Sequence, residues 1–290
     1  MGRHGDIGRH GDIGRTGDIG RHGRSTAAGA PMTAGTSTMP GVWAIVVAGG
    51  SASRFGRPKQ FAELAGRRVL DHALAAARAC SEGAVLVLPE DAVALGPWAC
   101  ERVVAGGATR AASVRAGLRA LPEAAEIIVV HDAARPLATP ALFEAVVAAV
   151  RGGADGAIPG IPLADTVKRV EGVVVVETLP REALVAVQTP QAFRAAVLRR
   201  AHAGEPDATD DAGLLEAIGA RVVVVPGEAC NLKLTRPADL VTAAALIEAG
   251  AVLLPPVVPA VPVVPAPPGE RSGGEDPAGG LQAVTARPVP

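Results

Sequence analysis

The sequence predicts an α/β fold in which helices cover both faces of a largely parallel sheet. Three observations carry this. Short apolar runs alternate with helical segments through the middle of the chain. The run 42–48, VWAIVVA, is apolar at every position, as a strand buried on both faces must be, and it stops at Gly49-Gly50. Hydrophobic residues are 49% of the chain but aromatics only 2%, so the core must be built from Ala, Val and Leu. Repeated strand–helix units of this kind close into parallel sheets.

Taken in order, 42–48 is the first strand. The segment 69–79 is expected to be a helix, 84–88 a strand, and 109–120 a helix that follows Gly106-Gly107. Residues 126–130 are expected to be another buried strand, and Pro140 opens a helix over 140–150, where a first-turn proline costs no hydrogen bond. A short strand is expected at 155–159. Residues 167–178 divide into two extended pieces that turn at Glu171-Gly172. A helix is expected from Gln191, another over 208–218, a strand over 221–225 and a last helix from Pro237.

The two ends differ from this pattern. Residues 1–40 carry a Gly-Arg-His-Gly-Asp-Ile repeat with few large apolar side chains, and 253–290 is a Pro, Ala and Val run. Neither composition can bury enough surface to offset the entropy of ordering, so both are expected to be disordered, flanking a domain at 41–252. Met32 and Met39 are possible later starts. A net charge of -1 provides no field to draw the protein to nucleic acid or anionic lipid. The absence of Tyr leaves little for base stacking. Neither nucleic acid nor a membrane is therefore expected as a partner. The three cysteines are widely spaced, and no secretory signal or membrane-length run is present. A cytoplasmic location is expected.

Ligands in open parallel sheets bind beyond the carboxyl ends of the strands, which directs attention to three loops. The first, AGGSASRFGRPKQ over 48–60, has small residues whose N–H groups can line a phosphate cradle, and it adds Arg54 and Lys59. Read alone, it fits equally a tight turn with a solvated Arg and Lys. The second, HDAARP over 131–136, ends a buried strand. Asp132 could hold Mg²⁺ there together with substrate phosphates, or could cap the turn and pair with Arg135. The third is NLKLTRP over 231–237. In an extended chain Asn231, Lys233 and Thr235 would share one face, aiming Lys233 at a site.

Together with GGATRAASV over 106–114, DTVK over 165–168, QTPQAF over 188–193 and TDD over 209–211, these loops resemble the 2-C-methyl-D-erythritol 4-phosphate cytidylyltransferase family across about residues 42–250. The resemblance implies a Rossmann-like fold with a protruding β-arm, at about 163–185, exchanged between the subunits of a homodimer. It also implies transfer of CMP from CTP to the sugar-alcohol phosphate, with Mg²⁺ or another divalent cation as cofactor. Residue by residue, Arg54, Lys59 and Lys233 match the catalytic cations. Ala48, Gly49, Gly50, Gly106, Gly107 and Ser113 match the nucleotide site. Asp132 matches a metal-associated aspartate beside the nucleotide. Arg135, Thr189 and Thr209 match groups near the acceptor, and Thr166 and Arg181 match arm residues that reach the acceptor phosphate in the partner's site. The sequence departs from the family's usual pattern at Val47, at Ala111-Ala112 and at Cys230, so a second carboxylate for the metal is not assured. A transferase for another polyol phosphate, such as ribitol 5-phosphate, and a non-catalytic nucleotide binder are the rival readings.

Overall fold

The computed structural model describes residues 38–49 and 58–256. Gly50, Arg54 and most of the two terminal stretches lie outside the described residues. Met39, placed with the terminal extension by composition, is instead part of the core.

Strand β1 (Val42–Val47) leads past a 3-10 turn (Lys59–Phe61) to the small hairpin β2 (Glu63–Leu64) and β3 (Arg67–Arg68), then to helix α1 (Val69–Ala79). β4 (Gly83–Leu88), β5 (Arg102–Ala105), α2 (Arg110–Ala120), β6 (Ile127–Asp132), α3 (Pro140–Arg151) and β7 (Gly156–Pro162) follow. The hairpin of β8 (Val167–Glu171) and β9 (Val174–Leu179) then leaves the main sheet. The chain returns through β10 (Val185–Val187), β11 (Gln191–Arg194), α4 (Ala195–Ala201), α5 (Asp211–Ala217), β12 (Val222–Pro226) and α6 (Pro237–Glu248).

The sheet runs β10-β7-β11-β6-β1-β4-β5, with β12 on the other edge of β7. Pairs β6–β1, β1–β4, β4–β5 and β7–β12 are parallel, while β11 and β10 run antiparallel to their neighbours. The mostly parallel sheet that the sequence predicts is therefore present. One face packs on α1 and α3 through Leu70, Leu74, Phe143 and Val146; the other packs on α2, α4 and α5 through Val114, Leu198 and Leu215. β4 and β6 are buried at every position, which accounts for the apolar runs 84–88 and 127–130.

Three expectations change. The segment from Gln191 begins as strand β11, and its helix starts only at Ala195. Ala192 packs into one core and Phe193 into the other, the two-sided burial of a central strand wedged between β6 and β7. Helix α5 starts at Asp211 rather than 208, because the Asp210 side chain accepts the Gly213 N–H and caps it. Strand β5 and the hairpin β2–β3 have no counterpart in the sequence reading, being too short to show a period.

The arm is a two-stranded ribbon tied by cross-strand bonds from Lys168 to Thr178 and from Arg169 to Glu177. Its valines are open to solvent, Val173 at 98% and Val174 at 62% exposure.

Candidate active site

β1 and β6 pair in register through Val47 and Asp132, so both release their chains at the same sheet edge. β11 runs back against β6, with Gln191 opposite Val130, which brings the 188–190 segment beside the same edge. Two cavities open there. One, of about 340 Å³, is lined by Ala48, Gly49, Lys59, Gln60, Gly107 and Ser113, among others. The second, of about 420 Å³, is lined by Arg135, Gln188, Thr189, Gln191, Thr209 and Asp210, among others. Arg110, Asp132 and Lys233 line both. A third cavity, of about 560 Å³, lies between α1 and the 96–99 segment. It is larger, but none of its lining residues stands at the carboxyl end of a main-sheet strand, and its Arg68 and Arg78 are already paired with Asp71 and Glu101. The chemistry is therefore sought in the smaller two.

The wall between the smaller cavities is a chain of charge. Lys233 Nζ lies 2.7 Å from Asp132 Oδ2, and Arg110 Nε lies 3.2 Å from Oδ1. Burial opposes the charge on Asp132, but Arg110 and then Lys233 outweigh it and hold the carboxyl well below the usual carboxylate range. Asp132 stays ionised at every working pH. The Arg135 N–H does close a turn on the Asp132 carbonyl at 2.9 Å, but the carboxylate turns to Arg110 and Lys233 and not to Arg135.

Thr189 and His131 fix this loop from behind. The Thr189 hydroxyl accepts the Asp132 N–H at 3.0 Å and donates to His131 Nδ1 at 3.1 Å. His131 Nε2–H then donates to the Arg135 carbonyl at 3.2 Å. This pattern requires a neutral ring, and burial pushes the imidazole down to about 4. His131 is a structural residue.

Arg135 donates to the carbonyls of Asn231 at 2.7 Å and Val187 at 3.2 Å, without a carboxylate partner among the described residues. Desolvation lowers its pKa, and the nearby Asp132 offsets this only in part. It is a half-buried cation on the wall of the second cavity, where an anion would compensate its charge. Lys59, which faces the first cavity, donates to the Leu234 carbonyl at 2.8 Å and so joins the first loop to the third.

Two glycines close the strand end at the first cavity. A Cβ on Gly106 would stand 2.8 Å from Ser113 Oγ, and one on Gly107 would stand 2.5 Å from Ala112 Cβ. Only bare backbone lets this strand end close on helix α2. Ser113 Oγ accepts the Gly107 N–H at 3.2 Å and donates to the Thr109 carbonyl at 3.0 Å, bracing the loop.

The third loop corrects one expectation. Asn231, Lys233 and Thr235 do not share a face, because a tight turn from Leu232 N–H to the Cys230 carbonyl (2.8 Å) breaks the extended path. Asn231 is fully buried and donates to the Thr189 carbonyl at 2.9 Å. The Thr235 hydroxyl donates to Asp239 at 2.8 Å, at the start of α6. Buried Leu234 anchors the loop, and Lys233 alone enters the site.

The described residues thus bring together Ala48, Gly49, Lys59, Gly107, Ser113, Asp132 and Lys233, with Gly106 forming the strand end behind them. They place Arg135, Thr189 and Thr209 around the adjoining cavity. Thr166 and Arg181 line neither: both are exposed near the base of the arm, and Arg181 donates to the Ala164 carbonyl there. The sequence reading assigns no role to Arg110, Gln60 or Asp211. For Arg110 the only signal is its place inside the GGATRAASV motif.

Asp132 is the only carboxylate among the described residues lining the first cavity. No group of three His, Cys, Asp or Glu able to cage a metal occurs among the described residues. One carboxylate with phosphate oxygens beside it is the donor set that Mg²⁺ takes when a nucleotide supplies the remaining ligands. The residues fit that mode, with Asp132 as the one protein ligand.

The family model for IspD, 2-C-methyl-D-erythritol 4-phosphate cytidylyltransferase, matches residues 42–249. The chain belongs to this family. A relative from Rubrobacter xylanophilus, a 2-C-methyl-D-erythritol 4-phosphate cytidylyltransferase, is 44% identical over 73% of this chain and 96% of its own length. One of the same name from Frankia casuarinae is 48% identical over 72% of this chain and 82% of its own. The crystal structure of the 2-C-methyl-D-erythritol 4-phosphate cytidylyltransferase from Thermus thermophilus superposes with a TM-score of 0.61 at 37% identity, covering 70% of this chain and 98% of that one. The family match spans β1 to the end of α6, so every loop described above lies within it.

Proposed function

We propose that the chain transfers CMP from CTP to 2-C-methyl-D-erythritol 4-phosphate, releasing pyrophosphate, and that it does so as a homodimer with a divalent cation. Family membership supports the reaction. The observation that carries the mechanism is the pair of cavities with Arg110, Asp132 and Lys233 as their common wall. A group-transfer enzyme with two substrates needs two adjoining pockets that meet at the reacting atom, and here they meet at a cation held by a carboxylate.

CTP is assigned to the first cavity, its base and ribose against Gly106, Gly107 and Ser113 and its phosphates toward Lys59 and Lys233, with Arg54 carried over from the family motif. The acceptor is assigned to the second, its phosphate toward Arg135. An acceptor phosphate oxygen attacks the α-phosphorus in line, the new O–P bond forms, and the bond to pyrophosphate breaks. No side-chain nucleophile is required, since the acceptor phosphate is already anionic. The barrier lies in bringing anions together, and preorganised cations lower it. A divalent cation bound by Asp132 and the nucleotide phosphates would screen the same charge. The protein's own part is to hold Lys59, Lys233 and Arg135 in place before substrate arrives.

The dimer reading rests on the arm. A two-stranded ribbon is marginal by itself, and this one exposes Val170, Val173, Val174 and Val175. A second copy covering those valines would also deliver Thr166 and Arg181 to the acceptor phosphate, for which guanidinium is well suited. No helix among the described residues is long and apolar enough to cross a membrane. The three cysteines are free, which supports a reducing, cytoplasmic setting.

The test is pyrophosphate release from CTP with 2-C-methyl-D-erythritol 4-phosphate and, separately, with ribitol 5-phosphate, each with and without Mg²⁺. Release with the first acceptor and Mg²⁺ is expected. Preference for ribitol 5-phosphate would overturn the acceptor, and release without any divalent cation would overturn the metal.

A further inference from the structure

Arg110 is the first residue of α2, placed there because Thr109 caps the helix by accepting the Ala112 N–H at 3.1 Å. Its guanidinium therefore starts at the sheet edge and reaches across it. Nε faces Asp132 Oδ1 at 3.2 Å, and Nη1 faces Asp211 Oδ2 at 2.7 Å. Asp211 is 1% exposed, and its other oxygen meets His202 Nε2 at 3.0 Å. Asp211 opens α5, directly after Thr209 and Asp210 on the wall of the second cavity.

We propose that Arg110 is a positioning residue for the transfer: its fork ties the Asp132 carboxylate to α5, locking the wall of the nucleotide cavity to that of the acceptor cavity. The inference deepens the function proposed above and rests on it. Three features carry it. Arg110 lines both cavities, so it lies at the point where the two substrates must meet. It engages two carboxylates with two different nitrogens, a geometry a lysine cannot reproduce. Without it, Asp132 and the buried Asp211 would lose the cation between them, leaving Lys233 alone to hold Asp132 and letting the lysine follow the freed carboxylate. Burial opposes the guanidinium charge, but Asp211 and then Asp132 more than offset this, so the cation is permanent. Arg110 Nη2 is buried without a hydrogen-bond partner among the described residues, so the fork is held by its two carboxylate contacts alone.

The test compares wild type, R110Q, R110K, D211N and R110Q/D211N by steady-state pyrophosphate release. CTP affinity by calorimetry without acceptor and thermal unfolding are measured alongside. R110Q is expected to lose about 100-fold in kcat, the scale of one preorganised charge, with CTP affinity within about threefold of wild type because that term is ground-state binding. R110K should recover part of the loss, since it restores charge but not the fork, and it supplies the comparison if R110Q is poorly folded. In the D211N background the R110Q loss should shrink, as expected of residues acting through one contact. Wild-type kcat in both R110Q and R110K would overturn the inference, as would equal losses in the two backgrounds. If wild type itself releases no pyrophosphate, the functional reading falls and this inference with it; if only the Arg110 variants are unaffected, this inference alone falls.

Discussion

The junction of the two cavities and the β8–β9 arm are built on opposite principles. At the junction Asp132, Thr189, Asn231 and His131 are buried, and each is held by a hydrogen bond or ion pair that fixes its direction. On the arm Thr166 and Arg181 stand at the surface, beside a ribbon whose valines at 170 and 173–176 are exposed. The comparison teaches that, among the described residues, preorganisation is finished at the junction of the two proposed substrate sites and unfinished on the arm. Among the described residues one chain supplies a finished half, the junction, and an unfinished half, the arm, and a second copy is the proposed completion.

The hardest test of the finished half is Lys233→Ala. Loss of one preorganised charge at a transition state costs about 3 kcal/mol, or more than 100-fold in kcat, while the melting temperature should change little because Lys233 is partly exposed. A variant with wild-type kcat in a pyrophosphate-release assay would remove Lys233 from the chemistry.

The unfinished half is tested by charging the arm. Val174→Asp with Val176→Asp puts two carboxylates among the exposed valines of the ribbon, where a buried dimer contact would reject them. Sedimentation should show a monomer with intact secondary structure and at least about a tenfold loss of turnover, the scale of losing one phosphate-positioning charge. A dimer of unchanged affinity would show that the arm is not the interface.

Mixing Arg181→Ala with Lys233→Ala then joins the halves. After exchange, about half of the dimers are hybrids and one of the two sites in each has both residues intact, so about a quarter of wild-type activity should return. Hybrids shown to form but inactive would place Arg181 and Lys233 in separate functions.

The smallest effect concerns the thiols. Burial pushes Cys80 and Cys100 up to about 12, so at pH 8 almost none of either is thiolate. Only the half-buried Cys230 should react promptly with a thiol reagent in the folded protein. Three fast-reacting thiols would show that the core opens far more readily than its packing implies.

How far the sequence could be read follows the same division between local and distant causes. Helices α1 and α3 match their expected starts at Val69 and Pro140 because periodicity and a first-turn proline are local signals. Asp132 and Lys59 could be picked out because they follow the ends of apolar strands or small-residue loops. The stretch from Gln191 could not be read correctly: QAFRAAVL has the composition of a helix, and only pairing between β6 and β7 makes its first four residues a strand. The burial of Asn231 depends on Gln188 and Thr189, which lie more than 40 positions earlier. Arg110 is the plainest case. At the start of a helix it resembles any solvated surface arginine, and its partner Asp211 is 101 positions away. No local pattern could have joined them.

The measurement that tests the account most directly is a crystal structure of the protein with CTP, Mg²⁺ and an unreactive analogue of the acceptor phosphate. The account predicts the base over Gly106, Gly107 and Ser113, the α-phosphate beside Lys233, and the acceptor phosphate against Arg135 on the far side of Asp132. A nucleotide seated instead in the arginine-lined groove between α1 and the 96–99 segment, with the junction at Asp132 untouched, would contradict it.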